Sequence, residues 1–314
     1  MDWSGRIGRR IKLRDLHILQ AVAQQGSMAK AARHLAVSQP VISKVIADLE
    51  RELGRPLLDR DRHGAEPTIY GAALLKHGLA VFDELKQSVE EIEYLADPTK
   101  GELRIGTHDV IAAGFLPAVV KSLHRSNPNL VIHVRLSVVA DALLRELRDR
   151  NVDLVLGRNL TQVAGEDLKT ETLFNETNVI VAGRNNRLAQ RRKVELKDLI
   201  HEPWVLPAAD SVAKDIAAEM FRSVGLEMPR NGVVYAPMPV ISALVVDGPY
   251  LAIPPTSMVR FGGNSLQLKV LPISFPVRPS LVGILTLKRR TISPVTQLFI
   301  ERAREVAKLL AKKD

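Results

Sequence analysis

Apolar residues near the start of the chain return at three- and four-residue steps, the rhythm of helices. Residues 13–24 place Leu16, Leu19 and Val22-Ala23 on one side and are predicted to form a first helix. In the stretch 26–54 two further helical patterns meet at a tight joint. Ser27 stands at the N-cap of the first, whose apolar face holds Met28, Ala31, Ala32 and Leu35. Ala36 and Val37 turn the chain, and Ser38 caps the next helix. Pro40 falls in its first turn, where a missing N–H costs nothing. Val41, Val45 and Leu49, flanked by Ile42, Ile46 and Leu53, are predicted to be its buried stripe, and Gly54 ends it. The opposite stripe carries Pro40, Ser43, Lys44, Ala47 and Arg51, with no acid on it.

Residues 55–68 are polar, with Gly64 and Pro67 as turn residues. They read as a two-stranded wing with its tip at Arg62-His63-Gly64, or as a plain surface loop. Thr68 caps a long helix to about residue 96. Along it Leu75, Phe82, Leu85, Val89, Ile92 and Ala96 alternate three- and four-residue steps, with Gly78 in one gap and Leu74, Leu79 and Leu95 widening the seam. One amphipathic helix packed on its own domain would show the same spacing. A linker between two domains has little of its own chain to bury such a face against, so a partner chain is expected there.

Asp97-Pro98-Thr99-Lys100-Gly101 breaks the pattern and marks a domain boundary. Short aliphatic strands then alternate with amphipathic helices, the signature of a mostly parallel sheet covered on both faces. A second such set begins near residue 178. The expected organisation is a winged helix-turn-helix at 1–67, a linker helix at 68–97 and a two-lobed α/β domain at 98–314. Lobe 1 takes 101–177 and 267–314, and lobe 2 takes 178–266.

Composition narrows the function. The 314 residues are 46% hydrophobic and 25% charged, ordinary for a globular protein. Net charge is +9, and residues 1–65 hold twelve Lys/Arg against seven Asp/Glu, or +5 of it. An electrostatic DNA footprint has that concentration, and a merely soluble basic surface has it too. There is no cysteine, so disulfides and thiolate metal sites are excluded. The start MDWSGRIGRR has no apolar run behind its charges, and no stretch is long enough to span a bilayer, which leads us to expect a cytoplasmic protein without a membrane partner. GxSxG, HExxH, P-loop and GxGxxG motifs are absent, and the eight histidines show no metal spacing. We expect no enzyme, no metal and no cofactor.

A helix entering a major groove needs short side chains for close approach, hydroxyls and amides for base edges, and cations for phosphates. The outer stripe of the third helix has that profile. The stretch AARHLAVSQPVISKVIADLERELGRPLLDR resembles the DNA-binding domain of LysR-type transcriptional regulators, through Ala31-Ala32, Leu35, Ser38-Gln39-Pro40, Ser43, Leu49-Glu50, Leu53-Gly54, Leu57 and Arg60. Leu58, where that family usually has Phe, and Pro67 depart from the pattern. More loosely, residues 101–106, Leu116-Pro117, Asn127-Pro128, Val152-Asp153-Leu154 and 245–254 resemble the family's effector-binding domain, which is similar to type 2 periplasmic binding proteins. The N-terminal half is most similar to regulators of sugar or aromatic-acid metabolism. The resemblance implies a linker-helix dimer, a tetramer built on it, double-stranded operator DNA and RNA polymerase as partners, and a small-molecule effector between the lobes.

On this reading Gln39, Pro40, Ser43 and Lys44 face bases or their phosphates. Ser38, Arg51, Arg60 and Arg62 contact the backbone, and the wing tip with His63 reaches the backbone or the minor groove. Leu75, Phe82, Leu85, Val89 and Ile92 pair two chains. Ligands of open α/β sheets bind beyond the carboxyl ends of the strands. That rule selects Thr107, His108, Asp109, Ser137, Val138, Arg158 and Asn159 in lobe 1, and Ala209, Ser211 and Met238 in lobe 2. Helix N-termini beside Arg158 suit an anion. Taken singly, Thr107 and Ser211 also fit as helix caps and Arg158 as an ion-pair partner. The competing reading of the whole chain is a small-molecule binding protein whose N-terminal helices only mediate assembly.

Overall fold

The computed structural model describes residues 10–61, 64–160, 165–207, 212–234, 238–262, 267–273 and 279–311. They fall into two compact units, divided between Ser88 and Val89.

The first unit opens with α1 (Leu13–Gln25), α2 (Met28–His34) and α3 (Gln39–Leu53), followed by β1 (Leu58–Asp61) and β2 (Gly64–Pro67). Then α4 (Ile69–Ala96) runs out of it. Ile18, Leu19 and Val22 of α1 pack on Ala31 and Ala32 of α2 and on Ile42, Ile46 and Leu49 of α3. The two alanines let the helices cross closely. Ser27 and Ser38 stand at the N-caps, yet neither side chain makes a cap bond. Their carbonyls instead accept from Ala31 N at 2.9 Å and Val41 N at 3.1 Å. The buried stripe of α3 is Ile42, Ile46 and Leu49, while Val41, Val45 and Leu53 are only half-buried. Geometry explains this correction. A helix turns about 100° per residue, so repeated steps of four drift by about 40° each, whereas a four followed by a three stays on one face.

The wing is the antiparallel pair β1–β2, with Leu58 opposite Pro67 and Asp61 opposite Gly64. Glu50 of α3 anchors it. Its Oε1 accepts from Leu57 N at 2.9 Å and Leu58 N at 3.3 Å. Thr68 caps α4 by accepting from Gly71 N at 3.1 Å, and its hydroxyl donates to Pro56 O at 2.7 Å.

The expected seam on α4 divides in two. Leu74 and Leu75 join the core of the first unit, Gly78 lies against Leu16, and the Phe82 ring sits edge-on to His17 at 6.0 Å. Leu75 and Phe82 are therefore corrected from partner contacts to intrachain packing, because α1 presents Leu16 and Leu19 to that face. Leu85, Val89 and Ile92 stay 47%, 55% and 66% exposed in the single chain. The compact units divide inside this helix, and Tyr94 packs on the core of the second unit.

The second unit has two five-stranded sheets. In lobe 1, β3 (Lys100–Thr107) lies parallel to β4 (Asn129–Leu136) and β5 (Leu154–Arg158). After β6 (Leu168–Glu176) the chain crosses to lobe 2. That lobe holds β7 (Val181–Gly183), β8 (Trp204–Leu206), β9 (Gly232–Val234), β10 (Leu251–Ala252) and β11 (Leu268–Val270). The chain then returns as β12 (Ser280–Leu287), antiparallel to β5 and β6. The sheets are thus mixed rather than mostly parallel. Because β11 pairs with β7, the return to lobe 1 comes after Val270 and not at residue 267.

Helices α5 (Asp109–Ala112), α6 (Phe115–Ser126), α7 (Ala140–Arg148) and α11 (Pro294–Ala311) belong to lobe 1, and α8 (Val212–Arg222) and α9 (Met238–Asp247) to lobe 2. Between them, α10 (Thr256–Phe261) follows a lobe 2 strand but packs on lobe 1. A Cβ on Gly114 would meet the Met258 Cα at 2.7 Å, so only glycine admits that contact. The lobe 1 core centres on Leu103, Ile105, Phe115, Leu154 and Phe299, and the lobe 2 core on Trp204 and Phe221. No helix among the described residues is long and apolar enough to cross a membrane.

Candidate functional sites

The outer face of α3 follows from its buried one. With Ile42, Ile46 and Leu49 inside, Ser38, Gln39, Pro40, Lys44, Ala47 and Arg51 are exposed. The face therefore offers an amide and an ammonium on a narrow, small-residue surface. Three of the expected contact residues have partners within the chain. Ser43 is half-buried, and its Oγ donates to Met28 Sδ at 3.4 Å, because the α2–α3 joint needs that polar contact. Arg51 pairs with Asp48 one turn back, so the stripe has an acid on its flank. Arg60 is tied to Glu50 at 3.0 Å and braces the wing. Both arginines remain exposed, as ion-paired cations. Arg62 and His63 lie outside the described residues. Sequence reading left out Lys30 and Arg33, exposed on α2, and Arg55, whose guanidinium lies 5.5 Å from the Tyr70 ring centre. It quoted Glu50 as a motif residue but not its bonds to the wing, whose partners stand seven to ten residues away and follow no helical spacing.

In lobe 1 the ends of β3, β4 and β5 come together as expected. Ser137 N donates to Thr107 O at 3.1 Å, and His108 Nδ1 donates to Ser137 O at 2.7 Å. A carbonyl can only accept, so Nδ1 carries the proton of this bond. His108 also lies over Gly157, where a Cβ would stand 3.5 Å from its ring. Asp109 opens α5, and Val138 is exposed. The Ser137 hydroxyl is shared with the backbone of Val139, at 3.1 Å in each direction.

Two of the predicted residues turn inward. Thr107 is fully buried and its hydroxyl donates to Leu156 O at 2.7 Å. Asn159 extends the β5–β12 ladder: its N donates to Leu281 O at 2.7 Å and its Oδ1 accepts from Leu281 N at 3.1 Å. Of the lobe 2 set, Ala209 and Ser211 lie outside the described residues. Met238 begins α9, and its side chain is likewise outside them.

Arg158 stands where the chain passes between lobes. Its Nη2 donates to Asn178 Oδ1 and Ser280 Oγ, each at 2.9 Å. Burial pulls its pKa down, and the charge of Glu176 acts against that. Glu176 is 2% exposed and accepts from Ser257 N at 3.0 Å and from the Ser257 hydroxyl, which pins the start of α10. Burial raises its pKa, with the Ser257 bonds and Arg158 opposing. Glu176, Asn178, Ser257 and Ser280 escaped the sequence reading, since nothing local marks them as neighbours of Arg158.

Residues 13–72 match the bacterial regulatory helix-turn-helix protein family of lysR type, and residues 96–308 match the LysR substrate binding domain. The chain belongs to the LysR family. It is a DNA-binding transcriptional regulator carrying an effector-binding domain, and it is not an enzyme. The assembly-only reading of the N-terminal helices is thereby set aside. An uncharacterised HTH-type transcriptional regulator of Escherichia coli K12, YdcI, is 27% identical over 305 residues, covering 97% of this chain and 99% of its own. The HTH-type transcriptional regulator GbpR of Azospirillum brasilense is 28% identical, covering 91% and 83%. Among solved structures, a full-length OxyR variant from Pseudomonas aeruginosa superposes with TM-score 0.65 at 20% identity over 95% of this chain and 97% of that one. CbnR, a LysR family transcriptional regulator, gives TM-score 0.54 at 22% identity, over 94% and 100%. Both show a shared fold. In LysR terms, α1 to β2 form the winged DNA-binding part and the two lobes form the substrate-binding domain.

Proposed function

We propose that this LysR-family regulator reads an interrupted operator as a dimer, with α3 of each chain in a major groove, and that a small anionic metabolite between the lobes sets its affinity for that operator. The observation that carries the reading is the exposed edge Gln39–Pro40–Lys44 of α3, opposite a fully buried Ile42–Ile46–Leu49 stripe. An amide reads a base edge and an ammonium neutralises a phosphate, while Pro40 and Ala47 allow close approach. Pairing of two chains is supported by Leu85, Val89 and Ile92, apolar and exposed along the second half of α4. A further self-contact, giving a tetramer, is supported by edge strand β4, where Val131, Val134 and Leu136 are exposed. Cytoplasmic location and RNA polymerase as a partner go with this reading.

The anionic effector is supported by Arg158. It is desolvated, and its Nε and Nη1 have no hydrogen-bond partner among the described residues. A guanidinium has five donors in a fork that matches a carboxylate. His108, Asp109 and Ser137 line the same strand ends. Acids of sugar or aromatic metabolism are the first compounds to screen.

The test of the DNA reading is a gel shift of the full chain on the gene's own upstream region. Lys44→Glu sets a carboxylate against the phosphates. A drop of about tenfold or more with unchanged melting is expected. Undiminished affinity in that variant would show that α3 faces elsewhere.

A further inference from the structure

Residues 184–198 of lobe 2 carry six cations, Arg184, Arg187, Arg191, Arg192, Lys193 and Lys197, against two acids, Glu195 and Asp198. That net +4 is half of the net +8 of residues 101–314, which hold 29 Lys/Arg and 21 Asp/Glu. The chain here is folded back on itself. Gln190 Nε2 donates to Arg184 O at 3.2 Å, and the Asn186 side chain caps the 3-10 turn Arg187–Gln190 by accepting from Leu188 N at 2.9 Å. Leu188 is 1% exposed and anchors the loop in the lobe 2 core. Arg184 and Arg191-Arg192 are thus held on one compact rim.

Half of these charges are matched locally. Arg187 pairs with Glu202, and Lys193 and Lys197 share Glu195 at 3.5 and 2.6 Å. Arg184, Arg191 and Arg192 are exposed and have no acidic partner among the described residues. No large apolar side chain is exposed anywhere in this segment. Protein interfaces bury an apolar centre inside a polar rim. A patch of cations with no such centre fits a partner recognised by its charge, and a phosphate backbone is that partner.

We propose that the arginine rim of lobe 2 is a second contact with duplex DNA, sequence-independent and separate from α3. It rests on the DNA-binding reading only in that duplex is present in the complex. The test uses the full chain and a random-sequence duplex over a salt series, comparing wild type with the triple variant Arg184→Gln, Arg191→Gln, Arg192→Gln. The expected result is a slope of log affinity against log salt shallower by about 2 to 3 per chain, because each phosphate contact releases close to one counterion. Arg→Lys at the same three positions should restore the slope, since charge rather than shape carries it. Equal melting temperatures show that the fold is intact. Unchanged slope and affinity in the Gln variant would overturn the proposal. So would unchanged DNA binding joined to loss of promoter activation in cells, which would assign the rim to an acidic protein surface. Lys44→Glu run in parallel separates the two readings, because it bears on α3 alone.

Discussion

Gly71 of α4 lies so close to Leu57 that a Cβ on it would meet the Leu57 carbonyl oxygen at 2.0 Å. Leu57 is 1% exposed, and its amide is already held by Glu50. The first turn of α4 is therefore locked to the base of the wing by backbone contact. Gly71→Ala gains about 1 kcal/mol of helix propensity. The clash with backbone outweighs that gain, since overpacking costs about 1–3 kcal/mol where neighbours can yield, and a carbonyl cannot. We expect a lower melting temperature and weaker operator binding, read by thermal denaturation and gel shift on one preparation. A variant as stable as wild type would mean that α4 can lift off the wing at no cost.

The division of the α4 seam separates two kinds of substitution. Phe82 packs edge-on to His17 beside Leu16 and Leu75, so Phe82→Ala removes intrachain packing. For a partly buried ring we expect about 2–3 kcal/mol of lost stability with the oligomeric state retained. Val89 and Ile92 are exposed, so Val89→Glu with Ile92→Glu should leave the melting of each chain unchanged and dissociate the assembly. Sedimentation across a concentration series reads the difference. If the double glutamate variant stayed assembled, chain pairing would have to be sought on another face.

The cation at the lobe junction gives a ligand prediction. Arg158 donates to Asn178 and Ser280 through one nitrogen, and its Nε and Nη1 have no hydrogen-bond partner among the described residues. Arg158→Gln keeps an amide donor and removes the charge. Acidic compounds that raise the melting temperature of wild type should lose about tenfold or more in affinity with this variant, as a charge-assisted hydrogen bond contributes about 1.5–3 kcal/mol. Neutral compounds should be unaffected. Equal loss for both classes would mean that Arg158 positions the hinge and does not read the ligand's charge.

The helical half was legible because its signals are local. Periodicity, caps and the alanine pair Ala31-Ala32 act within a few residues, and they located α1 to α4 within a residue or two. Where local reading failed, a distant residue decided. The α3 stripe was centred on Val41 and Val45 with Ile42 and Ile46 as flanks, because a run of fours looks regular in sequence and drifts on a helix. Leu75 and Phe82 were given to a partner because the apolar face of α1 that receives them is more than fifty residues away. In the second unit β6 went unnoticed: LKTETLFNE alternates polar residues as an edge strand does, with no apolar run to mark it. The strand-end rule pointed to His108 and Ser137, which lie in contact. It could not foresee that Thr107 would turn inward, nor that Glu176 and Ser257 would close the junction at Arg158.

Glu176 makes that junction pH-dependent in a direction that can be fixed in advance. Its carboxyl is 2% exposed, and burial raises its pKa above the ordinary 4.5, against the pull of Ser257 and of Arg158, the cation that faces it. The folded state therefore holds this proton more tightly than the unfolded chain does. Its contribution favours folding below about pH 4.5 and is lost as pH rises through the raised value, because ionisation then places a carboxylate in a desolvated site. Glu176→Gln keeps an acceptor for Ser257 N and does not titrate. Relative to that variant, wild type should lose melting temperature as pH rises from about 4.5 toward neutrality, and the gap should then level off. The Ser257 N–H and hydroxyl donate to this carboxyl and bind its ionised form more strongly, so α10 should stay attached, seen as amide exchange over residues 256–261 no faster in wild type than in Glu176→Gln at neutral pH. Parallel melting profiles for the two proteins across this range would mean that the carboxyl titrates alike in the folded and unfolded chains.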